Sequence, residues 1–392
     1  MARRLLMGQL RVQKVRHRDG RCSYTILEPG GGVHPAADRY LDQYAGAGTD
    51  KTYAYVLVDH LRWMKQEGLE PETVGFRDLQ RYMGAVGARV PMPLGTPWRV
   101  GKKSYGNSAL KTTASCLKGF YLHHAALGVN AALAEQLNLR RMPTKADRHR
   151  SLLGHLKRDM PANPLAPKSI RRRHPKMLPE GAREVLLDEA NSARDRLVVE
   201  WLSDGGFRIG ELCGLHLADL HLRDGAACGE CRTPHAHVCH RDGLANGARA
   251  KTKYPWELED GVIRGGLIKR VSPAMIHAYF EYMMSEYPRG AGHGQLLVQQ
   301  HGADRGMPWA PEGARKMIGR AAARAGLGRV RPHAFRHTFA SSVLDAANGN
   351  LVVARDAGGW ASTEVVDEIY AHVDIHDPVF DAALRTVWGE HV

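Results

Sequence analysis

The sequence predicts a mainly α-helical chain with a small antiparallel β-sheet, divided into two domains. Three observations carry this. At 392 residues the chain exceeds the usual size of one compact core, so at least two are expected. Apolar residues recur at helical spacing up to about residue 130 and again from residue 179, and a basic, proline-rich interval separates the two stretches. Residues 223–271 break the helical pattern, being rich in Gly, Cys and His with strand-like pieces AHVCH, ARAKT and IKRVS.

The first 35 residues form a basic extension in which LRVQKVRH and CSYTILE fit either two short strands or a basic arm, ended by the breaker run Glu28-Pro29-Gly30-Gly31-Gly32. DKTYAYVLVDHLRWMKQEG then places Tyr53, Val56, Leu57, Leu61 and Met64 on one helical face, with Thr49 or Asp50 as N-cap and Gly68 as stop. FRDLQRYMGAV and NSALKTTASCLKGFYLHHAALG read as further helices, the latter on Leu110, Ala114, Leu117 and Tyr121. Residues 36–130 are thus expected to be a small helical domain. Residues 131–178 are expected to be an inter-domain linker, because proline interrupts helices and the charge of TKADRHR and SIRRRHPK resists burial.

From Pro179 and Glu180, suited to a first helical turn, a second unit over 179–375 begins with LPEGAREVLLDEA and continues through DRLVVEWLSDGG and RIGELCGL. After the strand-like region, PAMIHAYFEYMMSEY, PEGARKMIGRAAARAG, the segment around His333 and STEVVDEIYAHV are helical again. In the tail, 376–392, Val379, Phe380, Leu384, Val387 and Trp388 can line one apolar face, for its own domain or a neighbouring subunit.

A formal net charge of +14 and a pI near 9.6 call for an anionic partner. Nucleic acid comes first and an anionic membrane surface second. A composition of 43% hydrophobic and 24% charged residues excludes a merely disordered basic tail. The absence of an apolar run of about 18 residues, and of an apolar core in MARRLLMGQLRVQK, leads us to expect a soluble, cytoplasmic protein. Arg99, Lys102, Lys103, Lys111 and Lys118 concentrate charge on the helical domain, and Arg171, Arg172 and Arg173 on the linker. A solvated face is the ordinary fate of such residues; their density favours phosphate contacts.

Several residues can do chemistry on a phosphate. Arg208 follows a Gly-Gly break at a helix start, with Glu211 at i+3 to hold it. Lys251 lies in GARAKTKYPW, on an expected hairpin, with Lys253 as an alternative on the same face. In HAFRH, His333 and Arg336 share a helix face, and His337 adjoins them. Trp360 follows Gly358-Gly359. On pattern alone Tyr370, in DEIYAHV, is a half-buried helix residue.

In order and local context, the G-x-R-x-x-E-L pattern at Arg208, the Lys-Thr pair at Lys251, the H-x-x-R-H helix, the G-G-W step and the tyrosine just before Ala-His resemble the active-site set of the tyrosine recombinase (phage integrase) family. The resemblance covers 179–375 by motif, and 36–130 by pattern as a core-binding domain. Many members have Gly-His where this chain has Gly359-Trp360. The resemblance implies a two-domain DNA clamp, a helical DNA-binding domain plus a mixed α+β catalytic domain. It implies Arg208, Lys251, His333, Arg336 and Trp360 around a scissile phosphate, Tyr370 as nucleophile, and Glu211 and His337 in support. It further implies a 3′-phosphotyrosyl intermediate, no nucleotide cofactor, and strand exchange through a Holliday junction in a homo-tetramer on double-stranded DNA sites, with room for an accessory directionality protein. A type IB topoisomerase-like enzyme and a non-catalytic DNA-binding protein are the alternatives.

The loop CGECRTPHAHVCH is not explained by that resemblance. Cys228-x-x-Cys231 followed by His235, His237, Cys239 and His240 offers enough ligands for tetrahedral zinc, with Cys228, Cys231, Cys239 and His240 as the candidate set. Cys22, Cys116 and Cys213 are expected to be ordinary thiols.

Overall fold

The computed structural model describes residues 9–17, 22–46, 48–87, 99, 102–144, 147–148, 158–168, 176–252, 254–360 and 362–370. The chain divides into two compact units, 1–172 and 173–392. No helix among the described residues is long and apolar enough to cross a membrane.

In the first unit, β1 (Arg11–Arg16) and β2 (Cys22–Leu27) form an antiparallel hairpin with Arg11 opposite Leu27. Leu10 and Ile26 are buried in the helical core, so the hairpin belongs to this unit and is not a separate arm. The helices are α1 (Pro35–Asp42), α2 (Thr49–Glu67), α3 (Phe76–Gly87), α4 (Asn107–Ala126) and α5 (Ala131–Leu137). Helix α2 ends at Gly68, whose left-handed φ of 66° lets its N–H reach the Met64 carbonyl. Its N-cap is Gly48, one residue before the expected Thr49 or Asp50. The helix is buried on more than the one face predicted: besides Val56, Leu57, Leu61 and Met64, it buries Asp59, His60 and Trp63.

The expected linker begins too early. Leu133 and Leu137 of α5 and Leu165 are all in this core, and β3 (Arg140–Arg141) pairs with β4 (Met160–Pro161), so apolar residues within the basic interval anchor it. Arg171, Arg172 and Arg173 lie outside the described residues.

His60 tests the unit's acid tolerance. It is fully buried, its Nε2 is 2.7 Å from the Tyr121 hydroxyl, and burial pushes its pKa down to about 3. Because the unfolded chain takes up a proton near pH 6.5 and the folded chain does not, this stability is present above pH 6.5 and is lost as pH falls. At pH 4.5 the loss is about 3 kcal/mol. We expect the melting temperature of the wild type to fall over pH 6.5–4.5 more steeply than that of His60→Asn; parallel profiles would contradict this account.

In the second unit, α6 (Ala182–Asp188), α7 (Ala193–Gly205) and α8 (Ile209–Leu212) precede the strands. Strands β5 (Leu220–His221), β6 (His235–Val238) and β9 (Leu267–Arg270) form an antiparallel sheet in that order, while β7 (Trp256–Glu259) and β8 (Val262–Gly265) form a separate hairpin. Helices α9 (Pro273–Ser285), α10 (Pro311–Arg324), α11 (Pro332–Ala346), α12 (Leu351–Gly358) and α13 (Thr363–Tyr370) follow. The core gathers Leu197, Trp201, Phe207, Tyr282, Leu297 and Phe335, with the Trp201 indole donating to the Met275 carbonyl at 3.0 Å. The AHVCH and IKRVS pieces are strands as expected, whereas ARAKT is not: the hairpin sits a few residues later, in β7 and β8. The apolar tail, 376–392, lies outside the described residues.

Candidate active site

Arg208 stands between α7 and α8, in the extended conformation of an N-cap (φ −74°, ψ 145°). Gly206 makes the turn before it, with a φ of 55° and Phe339 packed where a side chain would have to go. Glu211, one turn on and fully buried, accepts from the Arg208 backbone N–H at 2.8 Å and pairs with its guanidinium. Arg208 keeps 29% of its side chain exposed. The arginine is therefore aimed by a buried carboxylate and still reaches solvent, as the i, i+3 spacing predicts.

Arg336, in the second turn of α11, is almost completely buried. Its Nη1 donates to the Gly206 carbonyl at 2.8 Å, tying α11 to the turn that presents Arg208. Trp360 lies under it, with the guanidinium carbon 4.1 Å from the ring centroid. The G-G-W step follows from this: a Cβ on Gly358 would collide with the Trp360 ring, and Gly359 is a left-handed cap (φ 69°) against Leu267. Trp360 is buried with Ala340, Leu344, Ala354 and Val366, so it supports Arg336 from below.

His333 is exposed on the same helix, with its ring 4.4 Å from that of His337. Partial desolvation, and then the charges of Arg336, Arg208 and Lys251, hold its pKa below the ordinary histidine value. Those three cations therefore lie within electrostatic reach of one imidazole. His337 is pushed down to about 4 by burial, by His333 and by Arg336. Lys251 itself is exposed and lies on an irregular segment. That segment is brought to the site by close backbone approach, since a Cβ on Gly210 would sit 2.7 Å from the Arg249 carbonyl oxygen. Lys253 is outside the described residues. Tyr370 is the last residue of α13, and its side chain is likewise outside them.

Lys269, on β9, is a residue the sequence reading missed. It is 2% exposed, and its ammonium donates to the carbonyls of Gly205 at 2.8 Å and Ala357 at 3.3 Å, between the rings of Phe207 and Phe339. Burial pushes its pKa down to about 7, with Arg336 and Arg208 adding to the effect and Glu211 opposing it. It ties the turn before Arg208 to the end of α12 beneath the cations.

The expected DNA-contacting residues of the first unit separate into two kinds. Arg99 and Lys102 converge on buried Asp59, at 3.5 and 2.8 Å, and Arg99 stacks on Tyr105. Lys118 donates to the Ala162 carbonyl at 2.6 Å. These three serve the unit's own structure, because the buried Asp59 carboxylate and the partly buried Ala162 carbonyl need partners. Lys103 and Lys111 are exposed.

Nor does the structure assemble the set that the sequence offers as an option for zinc. Cys231 Sγ lies against the Thr233 hydroxyl, His240 Nδ1 against the Ala250 carbonyl, and Cys239 packs against Gly266; Cys228 instead meets His221, His235 and His237. Strand β6 faces its alternate histidines one way, which puts His240 elsewhere.

Residues 267–376 match the phage integrase family. A tyrosine recombinase of Agathobacter rectalis is 25% identical over 188 residues, 47% of this chain and 49% of that protein. Transposase A from transposon Tn554 of Staphylococcus aureus is 22% identical over 192 residues, 49% of this chain and 47% of that protein. Tyrosine recombinase XerC of Pseudomonas fluorescens is 28% identical over 242 residues, 59% of this chain and 69% of that protein. The chain spans about half the length of the first two relatives. Among solved structures, XerH site-specific recombinase bound to palindromic difH substrate in a post-cleavage complex covers 87% of this chain and 80% of its own, with a TM-score of 0.52 and 16% identity, a likeness of fold. The matched segment contains His333, Arg336, Trp360 and Tyr370, so residues 267–376 carry the similarity to the phage integrase family.

Proposed function

We propose that the chain is a site-specific DNA recombinase that breaks and rejoins DNA strands through a 3′-phosphotyrosyl intermediate. The observation that carries this is that Arg336, through the Gly206 carbonyl, is tied to the turn that presents Arg208, with His333 on the same helix as Arg336, within the segment order that ends in Tyr370. Cleaving a phosphodiester by a phenol needs positive charge on the nonbridging oxygens, and two guanidinium groups match that geometry as forks. Arg208, partly exposed, meets the phosphate, and Arg336 reinforces it from within the protein. His333, held largely neutral at pH 7, adds a hydrogen bond.

The Tyr370 oxygen attacks phosphorus and releases its proton to solvent as the P–O bond to the 5′ oxygen breaks. Lys251, exposed at the rim, supplies the proton that the 5′ oxygen takes. The phosphotyrosyl bond conserves the energy of the broken one, so a 5′ hydroxyl of a partner strand reverses the step without a nucleotide cofactor. Two such rounds between two double-stranded sites pass through a Holliday junction in a homo-tetramer, with an accessory directionality protein acting on the choice of sites. Lys103 and Lys111 contribute phosphate contacts from the helical unit.

A nicked substrate that loses its 5′-hydroxyl fragment after cleavage tests this. Full-length protein incubated with DNA from beside its own gene should accumulate a covalent adduct, and peptide mapping should place the nucleotide on Tyr370. Intact binding without an adduct, or an adduct on another residue, would sink the proposal.

A further inference from the structure

We infer that His221, Cys228, His235 and His237 form a structural zinc site that fastens the 222–234 loop to the sheet of the second unit. Each residue offers one ligand atom, and the four atoms lie within 4.8 Å of one another. The fold builds the cluster from three places. His235 and His237 alternate on one face of β6, and His221 pairs directly opposite His235 across the β5–β6 ladder. Cys228 is brought in by the loop, which closes on itself through Gly225 N–H to the Arg232 carbonyl at 2.7 Å and is pinned by Glu230, whose carboxylate accepts from the Gly265 N–H at 2.7 Å.

The hydrogen bonds around the cluster require a cation at its centre. His235 Nδ1 is 2.6 Å from the Thr233 carbonyl, and His237 Nδ1 is 2.7 Å from the Gly265 carbonyl. A carbonyl only accepts, so each ring carries its proton on Nδ1, and both Nε2 lone pairs turn inward. They face each other at 3.1 Å, with Cys228 Sγ 3.3 Å from the first. His221 Nε2 is buried with no hydrogen-bond partner among the described residues. One thiol proton cannot satisfy the two inward lone pairs of His235 and His237, and it leaves the buried His221 nitrogen without a partner. A metal ion can, and imidazoles whose far nitrogen is anchored to a carbonyl are the usual preparation for one.

Three imidazoles and one thiolate are a zinc set. With Zn–N bonds of about 2.0–2.1 Å and a Zn–S bond of about 2.3 Å, a tetrahedron has N–N edges of about 3.3 Å and S–N edges of about 3.6 Å. Those edges are close to the two separations seen. Four protein ligands fill the tetrahedron, so the ion would take no part in the phosphate chemistry. Cys228 gives up its thiol proton to solvent on binding. The effect reaches the active site through structure: β6 pairs with β9, and β9 carries Lys269.

The test begins with the full chain, expressed with zinc in the medium and purified without chelator. Elemental analysis should find about one zinc per chain. A strong chelator should lower the melting temperature by roughly 5–10 °C, and added zinc should restore it. Exchange for Co²⁺ should give a tetrahedral cobalt spectrum with a thiolate charge-transfer band that is missing in Cys228→Ser. His237→Ala should lose the metal, whereas Cys231→Ser and His240→Asn should keep it. Wild-type protein with zinc near zero and no cobalt band would overturn the site, whatever happens to the folding of the variants. So would a charge-transfer band that survives Cys228→Ser, or a loss in Cys231→Ser equal to that in His237→Ala.

Discussion

Replacing Arg336 by Ala should slow strand cleavage by about a thousandfold or more, while site binding, which rests on many phosphate contacts, changes far less. The guanidinium does three things that no other side chain can do together. It carries charge that burial cannot remove, it donates to the Gly206 carbonyl, and it sits over the Trp360 ring. In the proposed reaction the first acts on the phosphate, and the other two fix the guanidinium relative to Arg208. Arg336→Lys should therefore rescue little, since an ammonium is a point charge without the planar fork. Single-turnover cleavage of a nicked substrate at saturating protein reads the loss directly. Retention of more than a tenth of the wild-type rate by Arg336→Lys would show that charge alone suffices and that the stacked geometry is dispensable.

The parts of this site that were legible in the sequence are those whose chemistry is written locally. Arg208 and Glu211 lie one helical turn apart, as do His333 and Arg336, so a short window shows both partners. The helices were legible for the same reason, with Leu57, Leu61 and Met64 repeating on one face of α2 and Gly68 ending it. What escaped depends on contacts between distant residues. IKRVS reads as an ordinary strand, and nothing in it shows that Lys269 will be enclosed by Phe207 and Phe339 and bound to carbonyls at 205 and 357. Arg99 and Lys102 looked like DNA contacts because their counter-charge, Asp59, is about forty residues upstream, on a side of the helix away from the apolar face that the sequence predicts. Trp360 was read from the G-G-W step alone; its packing beneath Arg336 is set by the tertiary fold. The metal ligands split in the same way. The loop's cysteine and histidines were visible together, but His221 enters only through strand pairing, and strand pairing also turns Cys231 and His240 away.

Glu211 carries the second large effect, and it acts through another residue. It is fully buried, one oxygen accepting from the Arg208 backbone and the other pairing with the guanidinium. Glu211→Ala leaves the Arg208 cation beside a desolvated space with no counter-charge, which should cost about 3–5 kcal/mol of stability. It also frees the guanidinium to leave the line of the phosphate, so cleavage should fall by about a hundredfold or more. Glu211→Gln keeps the shape but presents at most one acceptor, and should fall between the two. The decisive measurement is a double-mutant cycle with Arg208→Ala. If the carboxylate works only by holding the arginine, the double variant should cleave no more slowly than Arg208→Ala alone. It should also be more stable than Glu211→Ala, because the uncompensated charge has gone. Losses in cleavage that multiply would mean that Glu211 bears on the reacting phosphate or its protons independently. The positioning role assigned to it here would then be wrong.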